Sequence, residues 1–363
     1  MRFLFKLIIF NCFIFVSSKE ILNFNLFILL IPFYVIYWSK FFHKKINLTG
    51  ILVILLFLVI TSLNLYNFQA KVSTWIPFAL LNLAPICFLL SDLDNFKMKI
   101  TLIEKLIFEV FIIAFSIFAF LNIGNRLHLV FGPNVIYKII GFNYLIWLFV
   151  FSLKNNRFYN FIIKCLFLLI MIKVGSRGGV LLFLTVNFHY YFIIYKRLSY
   201  FKLFISLIPI IIITVIYFYD FLRLIFGRTL YFDINNQSES FRLKSIKDFF
   251  SWLDNSSFFD FIIGSGLEQD PFMRIYPHNI FIELIHGYGI LVGIIFLILI
   301  INFFHTQNNL LKLILYNFLL GSVFSGSLLD NFIIFSILFF PILNPIKNKF
   351  YKADPNKNNC VES

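Results

Sequence analysis

Apolar residues run through this chain in stretches of roughly 18 or more, broken by short polar clusters. Stretches of that length predict transmembrane helices. About twelve are expected, near 3–17, 21–38, 47–66, 74–90, 105–123, 135–153, 158–174, 179–195, 201–219, 279–303, 310–328 and 330–346. The first and last are short for a hydrocarbon core about 30 Å thick. One interval breaks the rhythm, the long polar stretch 220–277, which ends in a Pro277-His278-Asn279 step into an apolar run. The expected organisation is all-α, a polytopic membrane bundle. Helices 1–9 occupy 1–219, a long loop 220–277, helices 10–12 occupy 278–350, and a polar tail 351–363 follows.

Charge orients these spans. With the N-terminus in the cytoplasm, the inside connections carry eighteen Lys and Arg, including Lys40, Lys44, Lys45, Lys154, Arg157, Lys196 and Arg197. The short outside connections carry five: Lys19, Lys71, Arg126, Lys173 and Arg177. That bias is the usual inside-positive one and predicts both termini in the cytoplasm and the loop 220–277 outside. The first apolar segment, with Arg2 and Lys6 before it and Val16-Ser17-Ser18 after it, reads either as a signal peptide or as an uncleaved span, the latter preferred.

Composition agrees. The 363 residues are 60% hydrophobic and 13% charged, against about 25% charged in soluble domains. The net charge of +14 sits in clusters at the ends of apolar runs, where it orients helices, so nucleic acid is not an expected partner. Cys12, Cys87, Cys165 and Cys360 have no metal-ligand or disulfide spacing, and no metal or cofactor is expected. The 54 Phe residues are read as a coding bias rather than a functional signal.

Candidate chemistry gathers on the outside. Arg177 lies in Gly175-Ser176-Arg177-Gly178-Gly179, where small residues leave a guanidinium uncovered. It reads as a phosphate-binding fork or as a turn Arg reaching the interface. In the loop, Phe241, Ser245, Asp248, Phe249 and Trp252 recur near helical spacing, so an amphipathic surface helix is expected, with Arg242 in its first turn and Ser238 or Ser240 as cap. Gly264-Ser265-Gly266 reads as a turn; no strand precedes it, which excludes a dinucleotide fingerprint. His278 precedes a helix whose N-terminal amides and dipole suit an anion, and a neutral imidazole there can accept a hydroxyl proton. The bland alternative is a His acting as cap. Glu283 and His286 follow within the span, where ionisable groups face a bundle interior. Gly289 and Gly293 read as a helix-packing pair. Glu104 is expected to pair with Lys105, and Glu109 to line a cavity.

In order along the chain, Gly-Ser-Arg-Gly-Gly at 175–179, Ser-x-Ser-x-Arg-Leu at 238–243, Gly-x-Gly at 264–266 and His-Asn-x-x-x-Glu-x-x-x-x-x-Gly at 278–289 resemble the motifs of the O-antigen ligase and polymerase superfamily. The resemblance spans about 160–300 by motif. It departs where Ser245 stands three residues after the loop Arg in place of a Trp, and where Leu267-Glu268-Gln269-Asp270 follows the glycine turn. It implies a GT-C-like fold and a metal-independent glycosyltransferase of the bacterial cytoplasmic membrane, acting on the extracytoplasmic side. Donor and acceptor would be undecaprenyl-diphosphate-linked glycans, and a chain-length regulator a further partner. Carried over, Arg177 and Arg242 bind the diphosphate leaving group and His278 orients or deprotonates the acceptor hydroxyl. Ser176, Asn279, Glu283, Gly264 and Gly266 support them. A repeat-unit polymerase for O-antigen or capsule is preferred; a ligase to lipid A core or protein is the alternative. A lipid-linked glycan transporter is a third reading, but it calls for internal pseudo-symmetry, which the sequence lacks.

Overall fold

The computed structural model describes residues 2–12, 27–42, 83–93, 101–121, 132–152, 157–174, 177–190, 237–265, 279–324 and 332–343. These residues are almost wholly helical and include no strand, so the fold is all-α as expected. The helices are α1 (Arg2–Cys12), α2 (Phe27–Phe42), α3 (Leu83–Leu93), α4 (Leu102–Leu121), α5 (Gly132–Ile146), α6 (Arg157–Lys173) and α7 (Arg177–Phe188). They continue with α8 (Gln237–Asn255), α9 (Phe258–Ile263), α10 (Ile280–Thr306), α11 (Asn309–Phe324) and α12 (Phe332–Leu343). The expected spans at 47–66 and 201–219 lie outside the described residues, as does the tail. Each of the others overlaps one of these helices. Among the described residues α10 alone is long and apolar enough to cross a membrane, with 27 residues and a mean hydropathy of 2.7 over its most apolar stretch.

The core sits between α5 and α11, which glycines allow to approach closely. A Cβ added at Gly141 would lie 2.1 Å from Asn317 Oδ1, and one at Gly321 would lie 2.9 Å from the Lys138 side chain. Close backbones bring polar groups into reach across the seam. Tyr137 Oη donates to the Gly321 carbonyl at 2.7 Å, and Asn317 Nδ2 donates to the Lys138 carbonyl at 2.8 Å. α7 joins the pair through Gly179, whose Cβ would stand 3.0 Å from Tyr137 Cβ. An aromatic cluster fills the space below: Tyr144 meets Phe183 at 4.7 Å and Phe167 at 5.1 Å, centroid to centroid.

Polar pairs fasten the other helices. Asn11 of α1 and Asn143 of α5 exchange amide hydrogen bonds of 2.9 and 2.5 Å in full burial. Lys6 of α1 pairs with Asp92 of α3. Glu109 is buried, with Lys105 Nζ at 3.6 Å and Trp147 Nε1 donating at 3.4 Å. The partner of Lys105 in that ion pair is Glu109 rather than Glu104. Glu104 instead closes a capping box at the start of α4, accepting from the Thr101 amide at 2.9 Å while its own amide donates to Thr101 Oγ1 at 3.3 Å. Trp147 opens a π turn, Trp147–Phe151, that ends α5 with the Ser152 amide donating to the Trp147 carbonyl at 2.8 Å.

The Asn11–Asn143 pair yields a test. Removing one amide leaves the other buried without its partner, at a cost of about 1–2 kcal/mol, whereas removing both leaves an apolar contact. Asn143→Leu is expected to lower the thermal unfolding midpoint of the detergent-solubilised protein, and Asn11→Leu/Asn143→Leu to recover part of the loss. A double variant as unstable as the sum of the singles would show that the amides are not coupled.

Candidate functional site

α10 begins with a side-chain cap. Asn279 is extended (φ −138°, ψ 121°), and its Oδ1 accepts from the Phe281 amide at 2.9 Å and the Ile282 amide at 3.5 Å. The cap role that a sequence reader could give His278 therefore belongs to Asn279. This also corrects the expectation of free amides for an anion at this end, because Asn279 already occupies two of them. Past the cap, Glu283 and His286 are both buried, as expected for ionisable groups in this run.

The helix then breaks. Gly289 takes φ 81°, ψ 168°, a conformation open to glycine and strained for other residues. Against the break lies α9, a single short helix whose Ser257 Oγ accepts from the Asp260 amide at 3.1 Å and donates to Asp260 Oδ2 at 2.7 Å. α9 stops at Gly264 (φ 91°), whose amide donates to the Asp260 carbonyl at 2.7 Å. The two glycines let backbone meet backbone. A Cβ on Gly289 would fall 1.9 Å from the Ile262 carbonyl oxygen, and one on Gly264 would fall 2.5 Å from the Gly287 carbonyl. The close packing expected of Gly289 is made with α9, Gly289 against Ile262 and Gly264 against Gly287, while among the described residues Gly293 faces Ile285 of its own helix.

Hydrogen bonds lock this junction. The Ser265 amide donates to the His286 carbonyl at 2.9 Å, where the break interrupts the helical ladder. Trp252 Nε1 of α8 donates to Ser265 Oγ at 2.7 Å, and the Trp252 ring stands edge-on to the His286 ring at 4.8 Å. α8 is amphipathic as expected: Ser245, Phe249 and Trp252 are buried while Lys244, Lys247 and Phe250 are exposed. Asp248 Oδ2 is buried and meets no donor among the described residues. The helix begins at Gln237, so Ser238 and Ser240 lie inside it rather than capping it, and Arg242 is in its second turn. Arg242 stands about 15 Å along the axis before Trp252.

Of the other residues singled out, Ser176, Gly266 and His278 lie outside the described residues. Arg177 is the first residue of α7, the helix whose next turn rests on Tyr137 through Gly179. Tyr137 in turn reaches Gly321 near the end of α11, and α11 returns from α10 across the short link Gln307–Asn308. The starts of α7 and α10 therefore point toward the same end of the bundle. Gly264 rests on Gly287, about 12 Å along α10 from Asn279. The Trp252–Ser265–His286 lock is what sequence reasoning missed. Each residue was visible alone, as a helix-face aromatic, a turn Ser and a buried His, but their meeting depends on two chain segments crossing at glycines.

Comparison with protein-family models, with curated proteins and with solved structures gives no match for this chain.

Two outcomes are expected from the junction. Gly289→Ala forces a Cβ into the Ile262 carbonyl and a residue with a side chain into positive φ, so it should lower the unfolding midpoint by more than the roughly 1–2 kcal/mol of the backbone penalty alone. Trp252→Phe and Ser265→Ala should each lower the midpoint by a similar amount, about 1 kcal/mol, and the double variant by little more than either. Fully additive losses would show that the Trp252–Ser265 bond contributes nothing.

Proposed function

We propose that this chain is a polytopic membrane glycosyltransferase that polymerises oligosaccharide repeat units carried on undecaprenyl diphosphate. The observation that carries the reading is the ordered set of motifs at 175–179, 238–243, 264–266 and 278–289. Support for a membrane setting comes from α10 and from exposed apolar stripes on other helices. Leu102, Leu106, Val110 and Ile117 of α4 and Phe158 and Phe161 of α6 all stand open at the surface, an arrangement suited to lipid rather than water. The full bundle of about twelve spans, with cytoplasmic termini and the loop outside, belongs to this proposal.

The chemistry follows from charge. As the anomeric C–O bond to the diphosphate breaks, negative charge grows on the leaving phosphate oxygens. Arg177 and Arg242 bind that charge, each with a fork of donors matched to phosphate. His278 takes the proton from the attacking hydroxyl of the acceptor sugar. Asn279 caps the start of α10, the helix that follows His278 in the chain, through its two accepted amides. The junction at Gly264 and Gly289 holds the loop that carries Arg242 against the helix that follows His278. Positioning of two bound glycans contributes much of the remaining acceleration.

The test is glycan analysis of a bacterial strain lacking this chain, complemented with wild type, His278→Ala or Arg177→Ala. The expected outcome is that deletion leaves surface glycan as single repeats, that wild type restores length, and that each variant restores little, a loss of at least about 100-fold in polymer for His278→Ala. Full-length polymer held on undecaprenyl diphosphate in the deletion strain would make the chain a ligase. Complete restoration by His278→Ala would remove that residue from the site.

A further inference from the structure

The exposure of α10 changes character at its break. From Ile280 to Gly289 no residue is exposed. Beyond it, Leu291, Ile294, Ile295, Leu297, Ile298 and Ile301 are all open at the surface. The stretch from Gly289 to Thr306 is about 26 Å long at the usual rise per residue. That nearly matches a hydrocarbon core of about 30 Å. The segment with the lipid-facing stripe is therefore the part beyond Gly289. The turns holding Glu283 and His286 stand above it, which relieves the cost of carrying ionisable groups through hydrocarbon.

α9 is fixed at that boundary. Its Ile262 and Ile263 backbone rests on Gly289, and Gly264 rests on Gly287. Yet its side chains are turned outward: Phe258 is 74% exposed, Phe259 72% and Ile263 64%. Asp260 is its one ionisable residue, and it is turned back onto the Ser257 cap. Bulky aromatics at this density would be a liability in water. Their helix is seated on Gly289, two residues before Leu291 begins the exposed apolar stripe of α10, at the level where aromatic residues favour a membrane interface.

We propose that α9 is a membrane-interface anchor whose Phe258, Phe259 and Ile263 insert into the lipid leaflet at the level of Gly289, setting the depth at which the loop and the first turns of α10 sit. The occupant of this face is lipid. The proposal rests on α10 crossing a membrane, and it is independent of the reaction the chain performs. It also gives the glycine junction a purpose, since a short helix wedged on a broken span moves with that span.

Nitroxide spin labels test it on the full chain, with Cys12, Cys87, Cys165 and Cys360 replaced by Ala, in phosphatidylethanolamine–phosphatidylglycerol vesicles. Labels go at Phe259 and Ile263 of α9, at Ile298 of α10 as the lipid reference, and at Asn255 as the water reference. Power saturation compares oxygen, which concentrates in lipid, with a nickel chelate, which stays in water. The oxygen-to-nickel accessibility ratio at Phe259 and Ile263 is expected to exceed Asn255 several-fold and to fall below Ile298, which lies about 14 Å deeper along α10. Nickel access at Phe259 and Ile263 with Ile298 in lipid overturns the anchor alone. Shielding from both reagents also overturns it, because protein, such as a second copy, then covers the face. Nickel access at Ile298 overturns the membrane reading of α10 beneath it. If the cysteine-free chain fails to fold, Phe259→Trp in the otherwise native sequence gives the same answer. Its added emission is expected to be quenched by brominated lipid, and quenching by aqueous iodide instead overturns the anchor.

Discussion

Backbone meets backbone where Gly264 and Gly289 cross, and the arrangement of the loop around the helix depends on that contact. No side chain intervenes, because a Cβ at either position would fall within 2.5 Å of the opposing chain. The approach is made possible by positive φ at both glycines and is made durable by the bond from the Ser265 amide to the His286 carbonyl. A broken helix exposes backbone acceptors, and a buried acceptor without a donor is costly. The loop supplies a donor. Break and loop thus answer each other, the loop's Ser265 amide meeting the carbonyl that the break leaves open.

The same rule runs through the bundle. Among the described residues, several polar groups that enter the apolar core do so in mutually satisfying pairs, while Asn317 Oδ1 and Asp248 Oδ2 are buried without a hydrogen-bond partner. Asn11 answers Asn143, Tyr137 answers the Gly321 carbonyl, and Glu109 receives Trp147 and Lys105. Where water is absent, each such pair specifies one register between two helices. Glycines at 141, 179 and 321 set the distance, and the polar pairs set the alignment.

For the proposed function, the consequence is a rigid base for a charged site. α8, which carries Arg242, is tied through Trp252 to the turn at Ser265 and to His286 of the helix that starts just after His278. A diphosphate leaving group gains from guanidinium groups that need not reorganise as charge develops. The interface anchor proposed for α9 adds a constraint of depth. A lipid-linked substrate presents its diphosphate at the membrane surface, and a site that reads it must be held at that height.

The sequence by itself determined the helical class, because runs of apolar residues this long have few alternatives to helix. It also determined the amphipathic face of α8, since period alone places Ser245, Phe249 and Trp252 together. It named the candidate chemistry, because Arg and His beside small residues stand out in an apolar chain. It misread the partner of Lys105, and it did not show that Gly289 breaks α10 where it packs. Spacing within a helix reports which residues share a face but not which other helix arrives there. Only the tertiary structure decided that Lys105 turns to Glu109, that Asn279 closes the end of α10 upon its own amides, and that Gly289 is a break packed on α9. The break at Gly289 depends on contact with α9, a segment about twenty-five residues away in the chain, whereas the other two join residues within four positions, where several local partners compete and burial selects one.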